Sequence, residues 1–312
     1  MELSGFELFS NLLGLFLLIA VGFVAVRCNI LPSSASRHLS ALMLNITLPA
    51  TIFISMVRPF DPSFMKDAMI ALGVTFGLIL LYIVIGLAVA PVFRVPKGRR
   101  GMWVLCCSFC NNGFMGFPVV YAIFGDDGLA LAVMMNIAFN VLVNVLGARL
   151  AMSDGAGDGE LSVPWKKILL SPVHFSVAAG ILFYCLQLNV PQAIHAPIQH
   201  LANVTTPISM AITGMSLAGS RGLDMIKDRD AVSASLMRLL ALPLMTFFIL
   251  RCLPISNPLV ADVILIIMAM PAPAIAVVLG EEYNGCVVLG ARTIFLSSLA
   301  CMATLPLIAL LL

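Results

Sequence analysis

Two short stretches hold side chains that their surroundings cannot solvate. Asn111 and Asn112 lie inside CCSFCNNGFMGFPVVYAIFG, with Gly113, Gly116 and Pro118 close behind, and Pro271 and Pro273 lie inside LVADVILIIMAMPAPAIAVVLG. An amide in an apolar run is costly unless it is hydrogen-bonded. A proline removes a backbone donor and crowds the carbonyl four residues back. Both stretches therefore predict a helix interrupted in mid-course. Such a break exposes N–H groups of partial positive charge at one lip and carbonyls at the other. The positive lip suits an anion.

Other chemistry is poorly supplied. His38, His174, His195 and His200 sit near loops or helix ends, and none stands at metal-ligand spacing from another. Cys107 and Cys110 form a C-x-x-C, but no second pair or His cluster completes a zinc site. The eight cysteines read as small apolar packing residues, and no disulfide framework is implied. No nucleophile–base pair and no phosphate loop occur, so neither an enzyme nor an ATP-driven motor is indicated. No metal and no cofactor are expected.

The elements that must position these residues are membrane helices. Apolar residues make up 61% of the chain and charged residues 10%, with a mean hydropathy of +1.08. That is too few charges to solvate a globular surface, so lipid must be the main solvent. A net charge of +2 without a basic stripe argues against nucleic acid as a partner. Candidate spans are 7–28, 38–57, 68–91, 101–124, 128–150, 167–188, 198–218, 231–252, 259–280 and 285–311. The first begins after acids rather than Lys or Arg and is long enough to span, so it reads as a retained helix. With the N-terminus outside, twelve of the 17 Lys and Arg residues fall in inside loops, three in outside loops and two within spans. That bias puts both termini outside the cytoplasm of a multi-pass protein in the inner (plasma) membrane.

An internal repeat organises the spans. Asn45-Ile-Thr47-Leu-Pro49 in span two returns as Asn203-Val-Thr205-Thr-Pro207 in span seven, an offset of 158 residues. The same offset maps span one onto span six and Asn111–Gly113 onto Ala269–Pro271. Residues 1–150 then form one five-helix repeat, 151–164 a cytoplasmic linker and 165–312 a second repeat. Five is odd, so the second repeat must be inverted, the plan of secondary transporters. The expected fold is all-α, with ten transmembrane helices in two inverted five-helix repeats and broken crossing helices four and nine.

These motifs carry a resemblance. Asn111-Asn112-Gly113-Phe114-Met115-Gly116-Phe117-Pro118 resembles the N-x-G-F-x-G-x-P signature of the auxin efflux carrier family. Leu44-Asn45-Ile46-Thr47-Leu48-Pro49, Met270-Pro271-Ala272-Pro273 and Leu305-Pro306-Leu307 are similar to its weaker motifs. The short linker resembles the prokaryotic branch, which includes malonate-type permeases. The resemblance implies an elevator-type carrier of a small organic anion, a carboxylate or auxin-like molecule, with a scaffold and a mobile transport unit. It implies that Asn45, Asn111 and Asn112 face the cargo, while Pro118, Pro271 and Pro273 shape the crossing. The architecture is also similar to that of sodium–bile acid symporters. Ion coupling stays open, because the acids nearest span nine, Asp262, Glu281 and Glu282, lie at its edges. A channel or an intramembrane enzyme is the rival class. The lipid bilayer is a partner, and a homodimer stays open.

Two arginines fall inside spans. Arg292 lies seven residues past Gly285, about 10 Å along a helix, with no acid near it in sequence. It reads either as a bidentate anchor for a carboxylate or as a cation snorkelling to headgroups. Arg238, with Asp224, Asp228 and Asp230 close by in sequence, reads as the ordinary ion-paired case. Asn136, Asn140 and Asn144 share one helix face and, with Ser297 and Ser298, read as interhelical hydrogen-bonding residues.

Overall fold

A bilayer offers no hydrogen-bond partner to a peptide group, so a chain this apolar must satisfy its backbone within each segment. The computed structural model describes residues 5–155, 171–219 and 226–312, and among them no strand occurs. The helices are α1 (Gly5–Arg27), α2 (Ala35–Met56), α3 (Pro62–Val89), α4 (Lys97–Ser108), α5 (Phe117–Leu142), α6 (Ala148–Met152), α7 (Pro172–Leu186), α8 (Gln192–Gly219), α9 (Arg229–Cys252), α10 (Pro258–Met268), α11 (Ile275–Glu282) and α12 (Val287–Ala309). Gly125, at φ 64° and ψ −153°, interrupts α5 in a conformation that only glycine adopts freely. It falls between the fourth and fifth spans expected from the sequence. Joined across widened turns and breaks, the described segments make ten helices, two of them broken.

Prolines set the widened turns. Pro49, Pro118 and Pro243 each stand two residues past a π-type turn, at Met43–Thr47, Asn112–Gly116 and Met237–Ala241. The carbonyl that each ring would strike belongs to Asn45, Phe114 or Leu239, inside that turn. Widening the turn relieves the clash without ending the helix. A fourth such turn, Val143–Gly147, has no following proline.

The expectation of ten spans is met only in part. Among the described residues six helices are long and apolar enough to cross a bilayer: Ser10–Arg27, α2, α3, Lys97–Met152, α9 and α12. Helices α7 and α10 are apolar but shorter. Helix α8 has the length, but Gln192, His195, Gln199, His200 and Asn203 dilute its apolar character. The start of the sixth span and most of the linker lie outside the described residues.

The described residues form two compact units. The first draws on Met1–Ala68, Gly113–Val133 and Pro164–Gly219; the second on Met69–Asn112, Met134–Val163 and Ser220–Leu312. In the first, α1 packs on α8 so closely that a Cβ on Gly214 would fall 1.9 Å from the Ile19 carbonyl oxygen. This is the small-residue contact of membrane helices. Helix α2 lies against α7 and α8, where the hydroxyls of Thr51 and Thr205 meet at 2.7 Å. At one end Arg58 pairs with Asp127 at 2.7 Å. In the second unit, α12 packs on α9, α11 and α4. There the Tyr82 hydroxyl, on α3, donates to the Leu242 carbonyl at 2.9 Å and meets the Thr246 hydroxyl.

Candidate functional site

The second unit contains both helix breaks. Helix α4 stops at Ser108, because Phe109 turns to an extended conformation at φ −103° and ψ 155°. Helix α10 stops at Met268, and no regular helix resumes until Ile275. The two irregular segments touch: the Asn111 N–H donates to the Pro271 carbonyl at 2.9 Å. The Ala272 N–H donates to Ser297 Oγ, on α12, at 3.0 Å. Ser297 thus serves as an interhelical partner, as its sequence position suggested.

Arg238 ties the breaks together. It stands in the widened turn of α9 and is 0% exposed. Its Nε donates to the Met270 carbonyl at 2.8 Å, Nη2 to the Met268 carbonyl at 2.8 Å and Nη1 to the Cys107 carbonyl at 3.2 Å. Cys107 lies in the last turn of α4 and Met268 ends α10, so the guanidinium meets carbonyls that have no helical partner of their own. Each helix C-terminus carries about half a negative charge. One guanidinium therefore balances two such ends. The ring of Tyr82 lies 5.8 Å from its central carbon, a further contact for a desolvated cation.

The amide-bearing residues divide. Asn111 and Asn112 are buried at the first break, where Asn112 Oδ1 accepts the Cys110 thiol at 2.7 Å. Ser108 Oγ, also buried there, has no hydrogen-bond partner. Gly113 begins the return of the chain to the first unit, and a Cβ there would make only ordinary contact with Leu48, at 3.8 Å. Met270, Pro271 and Pro273 are buried at the second break. Asn45 differs: it is exposed in the first unit and donates to the Ala41 carbonyl of its own helix at 2.8 Å. Asn144 likewise bonds to its own helix, at the Asn140 carbonyl, rather than to a neighbour.

Both arginine expectations change. Arg292 has an acid after all: its Nη1 meets Asp228 Oδ2 at 2.6 Å, with 36% of its side chain exposed. Arg99 shares that carboxylate at 2.6 Å and pairs with Asp230 at 2.7 Å. Asp228 also caps the start of α9. Burial alone would raise its pKa, but the bonds from Arg292 and Arg99 outweigh burial and hold it below the ordinary carboxylate value. The acids near Arg238 in sequence thus serve other arginines, because α9 carries Arg238 away from Asp228 and Asp230; Asp224 lies outside the described residues. From its sequence Arg238 read as an ordinary ion-paired residue, and nothing there singled out Tyr82; the position of Arg238 within an apolar span was the available signal.

The first unit holds a cavity of about 490 Å³. Thr51, Phe117, Pro118, Tyr121, Asn203 and Thr205 line it, with Asp126 as a charged member. That volume suits a small molecule. Of the repeated asparagines, Asn203 reaches this cavity and Asn45 does not line it.

The family model described as Membrane transport protein matches residues 7–162 and 160–309. The chain is 26% identical to an uncharacterized transporter of Methanocaldococcus jannaschii, over 90% of this chain and 91% of that protein. It is 26% identical to an uncharacterized transporter of Methanothermobacter thermautotrophicus, over 95% of this chain and 96% of the other. An uncharacterized transporter of Escherichia coli K12 is 19% identical, over 95% of each. Among the described residues no group of three or more His, Cys, Asp or Glu side chains could hold a metal ion.

Proposed function

The chain belongs to the membrane transport protein family, and we propose that it carries a small organic anion, a carboxylate or auxin-like molecule, by elevator-type alternating access. It is a membrane-embedded secondary transporter and not an enzyme. The observation that supports the cargo class is the meeting of two helix breaks around Arg238. With their carbonyl ends neutralised, the breaks leave helix N-termini as the electrostatic feature available to cargo, and those favour an anion. Asn111, Asn112, Met270, Pro271 and Pro273 form the cargo site, with the buried Ser108 hydroxyl as a further polar group. Pro118 and the cavity of the first unit belong to the passage. Asp126, a carboxylate, makes that cavity a poor resting place for a carboxylate.

Asn45 and Arg292 are left out of the cargo site, because each already has a local partner. Two inverted five-helix repeats remain the preferred plan. Its support is the shared offset of 158, which joins the two breaks. The topology with both termini outside rests on the Lys and Arg bias between the loops; the Arg58–Asp127 pair and the Arg99–Asp228–Asp230 network each join residues that this topology puts on a single side.

Counterflow in proteoliposomes tests this reading: external labelled organic acid should accumulate against trapped unlabelled acid, which a simple pore cannot do. Asn112→Ala and Pro271→Ala should each lower the rate by about tenfold or more while the protein stays inserted and folded. If both variants run at the wild-type rate, the breaks are plain kinks.

A further inference from the structure

Arg238 is fully buried, and its partners are three carbonyls, a ring and the Cys110 thiol rather than an acid. Unwound carbonyls and the C-terminal ends of half-helices are groups that membrane carriers use to hold small cations. Here three such carbonyls, from Cys107, Met268 and Met270, converge on a side chain of the protein itself. This cation is part of the chain, so unlike a bound ion it does not dissociate. Its planar fork also suits three acceptors spread over two helices better than a point charge does.

We propose that Arg238, without touching cargo, sets the sign of charge that the paired breaks accept. It acts as a tethered cation in a carbonyl cage. Without it, the C-terminal ends of α4 and α10 recover about one negative charge between them, and the breaks become a cation site. The proposal rests on the anion-carrier reading for its meaning in transport, but the cage itself can be tested without any cargo.

The test uses the purified full chain in detergent and follows its thermal unfolding. Sodium, potassium and methylguanidinium chlorides are compared at millimolar concentration, with choline chloride holding ionic strength constant. The wild type should melt at one temperature in all four salts, because its cage is filled. Arg238→Ala should melt lower in choline and rise by several degrees in methylguanidinium, by linkage of binding to folding. Sodium or potassium should raise it less. Arg251→Ala, a substitution at an exposed arginine, should show no such rise.

Arg238→Lys keeps a charge with three donors and covers the case in which the alanine variant fails to fold. It should fold, stay indifferent to sodium and potassium, and respond weakly to methylguanidinium. A folded Arg238→Ala protein that ignores methylguanidinium overturns the proposal. So does a wild type stabilised by sodium or potassium over choline, or an Arg238→Lys protein that depends on either ion. In counterflow, Arg238→Lys should still prefer the anion, with a weaker apparent affinity. If no organic acid shows counterflow, the carrier reading fails while the melting experiment still decides the cage.

Discussion

Arg238 sits nine residues into α9 and meets carbonyl oxygens, a ring and the Cys110 thiol, whereas Arg292 sits five residues into α12 and meets a carboxylate. At 1.5 Å per residue these depths are about 14 Å and 8 Å from their helix starts. The contrast follows from desolvation. A deep ion pair must strip water from two ions, and their attraction seldom repays both costs. Helix ends that are already buried offer partial negative charge with no second ion to dehydrate. Near the helix starts water still reaches the side chains, so Arg99, Arg292, Asp228 and Asp230 can pair as full charges. The deep site holds a break open; the shallow one fastens the starts of α4 and α9 to α12.

The largest effect is expected from Arg238→Met, which keeps bulk and removes charge. Three buried carbonyls lose their donor, at about 1–3 kcal/mol each, so a loss of at least ~3 kcal/mol is expected. Denaturation in detergent measures it. Wild-type stability in this variant would mean that the deep carbonyls never needed the cation.

Asp228→Asn comes next, at about 1–3 kcal/mol near pH 7, from weakening two charge-assisted bonds. Its pH dependence separates the two regions. The folded pKa of Asp228 lies below its unfolded value of about 3.9. Its stabilisation is therefore complete above that value and lost as pH falls through the folded pKa. The stability gap between wild type and Asp228→Asn should close in acid. The gap for Arg238→Met should not, since the acceptors that Arg238 meets are carbonyls rather than a carboxylate. Parallel behaviour of the two gaps would erase the distinction.

The smallest effect belongs to Arg292→Lys. With about a third of the side chain exposed and the charge kept, less than ~1 kcal/mol should be lost. Loss of organic-anion binding in a folded Arg292→Lys protein, read by titration calorimetry, would return Arg292 to the cargo site.

Much of this molecule was legible before its fold. Apolar run length located the helices because lipid forces backbone bonding to be local. Pro118, Pro271 and Pro273 marked the irregular turns because a ring without an N–H must disturb its own helix. Residue partners were less legible. Asn45 matched a motif yet turned to Ala41, because an amide on an exposed helix face finds the carbonyl one turn back before any neighbour. Asp228 stood ten residues from Arg238 in sequence and paired with Arg292, 64 residues away.

The sequence by itself determined the class of protein, the helices, the two breaks and the family, since each depends on local chemistry that any fold of this chain must respect. Only the tertiary structure decided which charge meets which partner. Helix packing carried Arg238 to the ends of α4 and α10, two segments far apart in the chain, and gave Asp228 to Arg99 and Arg292. Spacing along a sequence orders residues on one helix, but electrostatic energy depends on distance in space and on the water left between the charges.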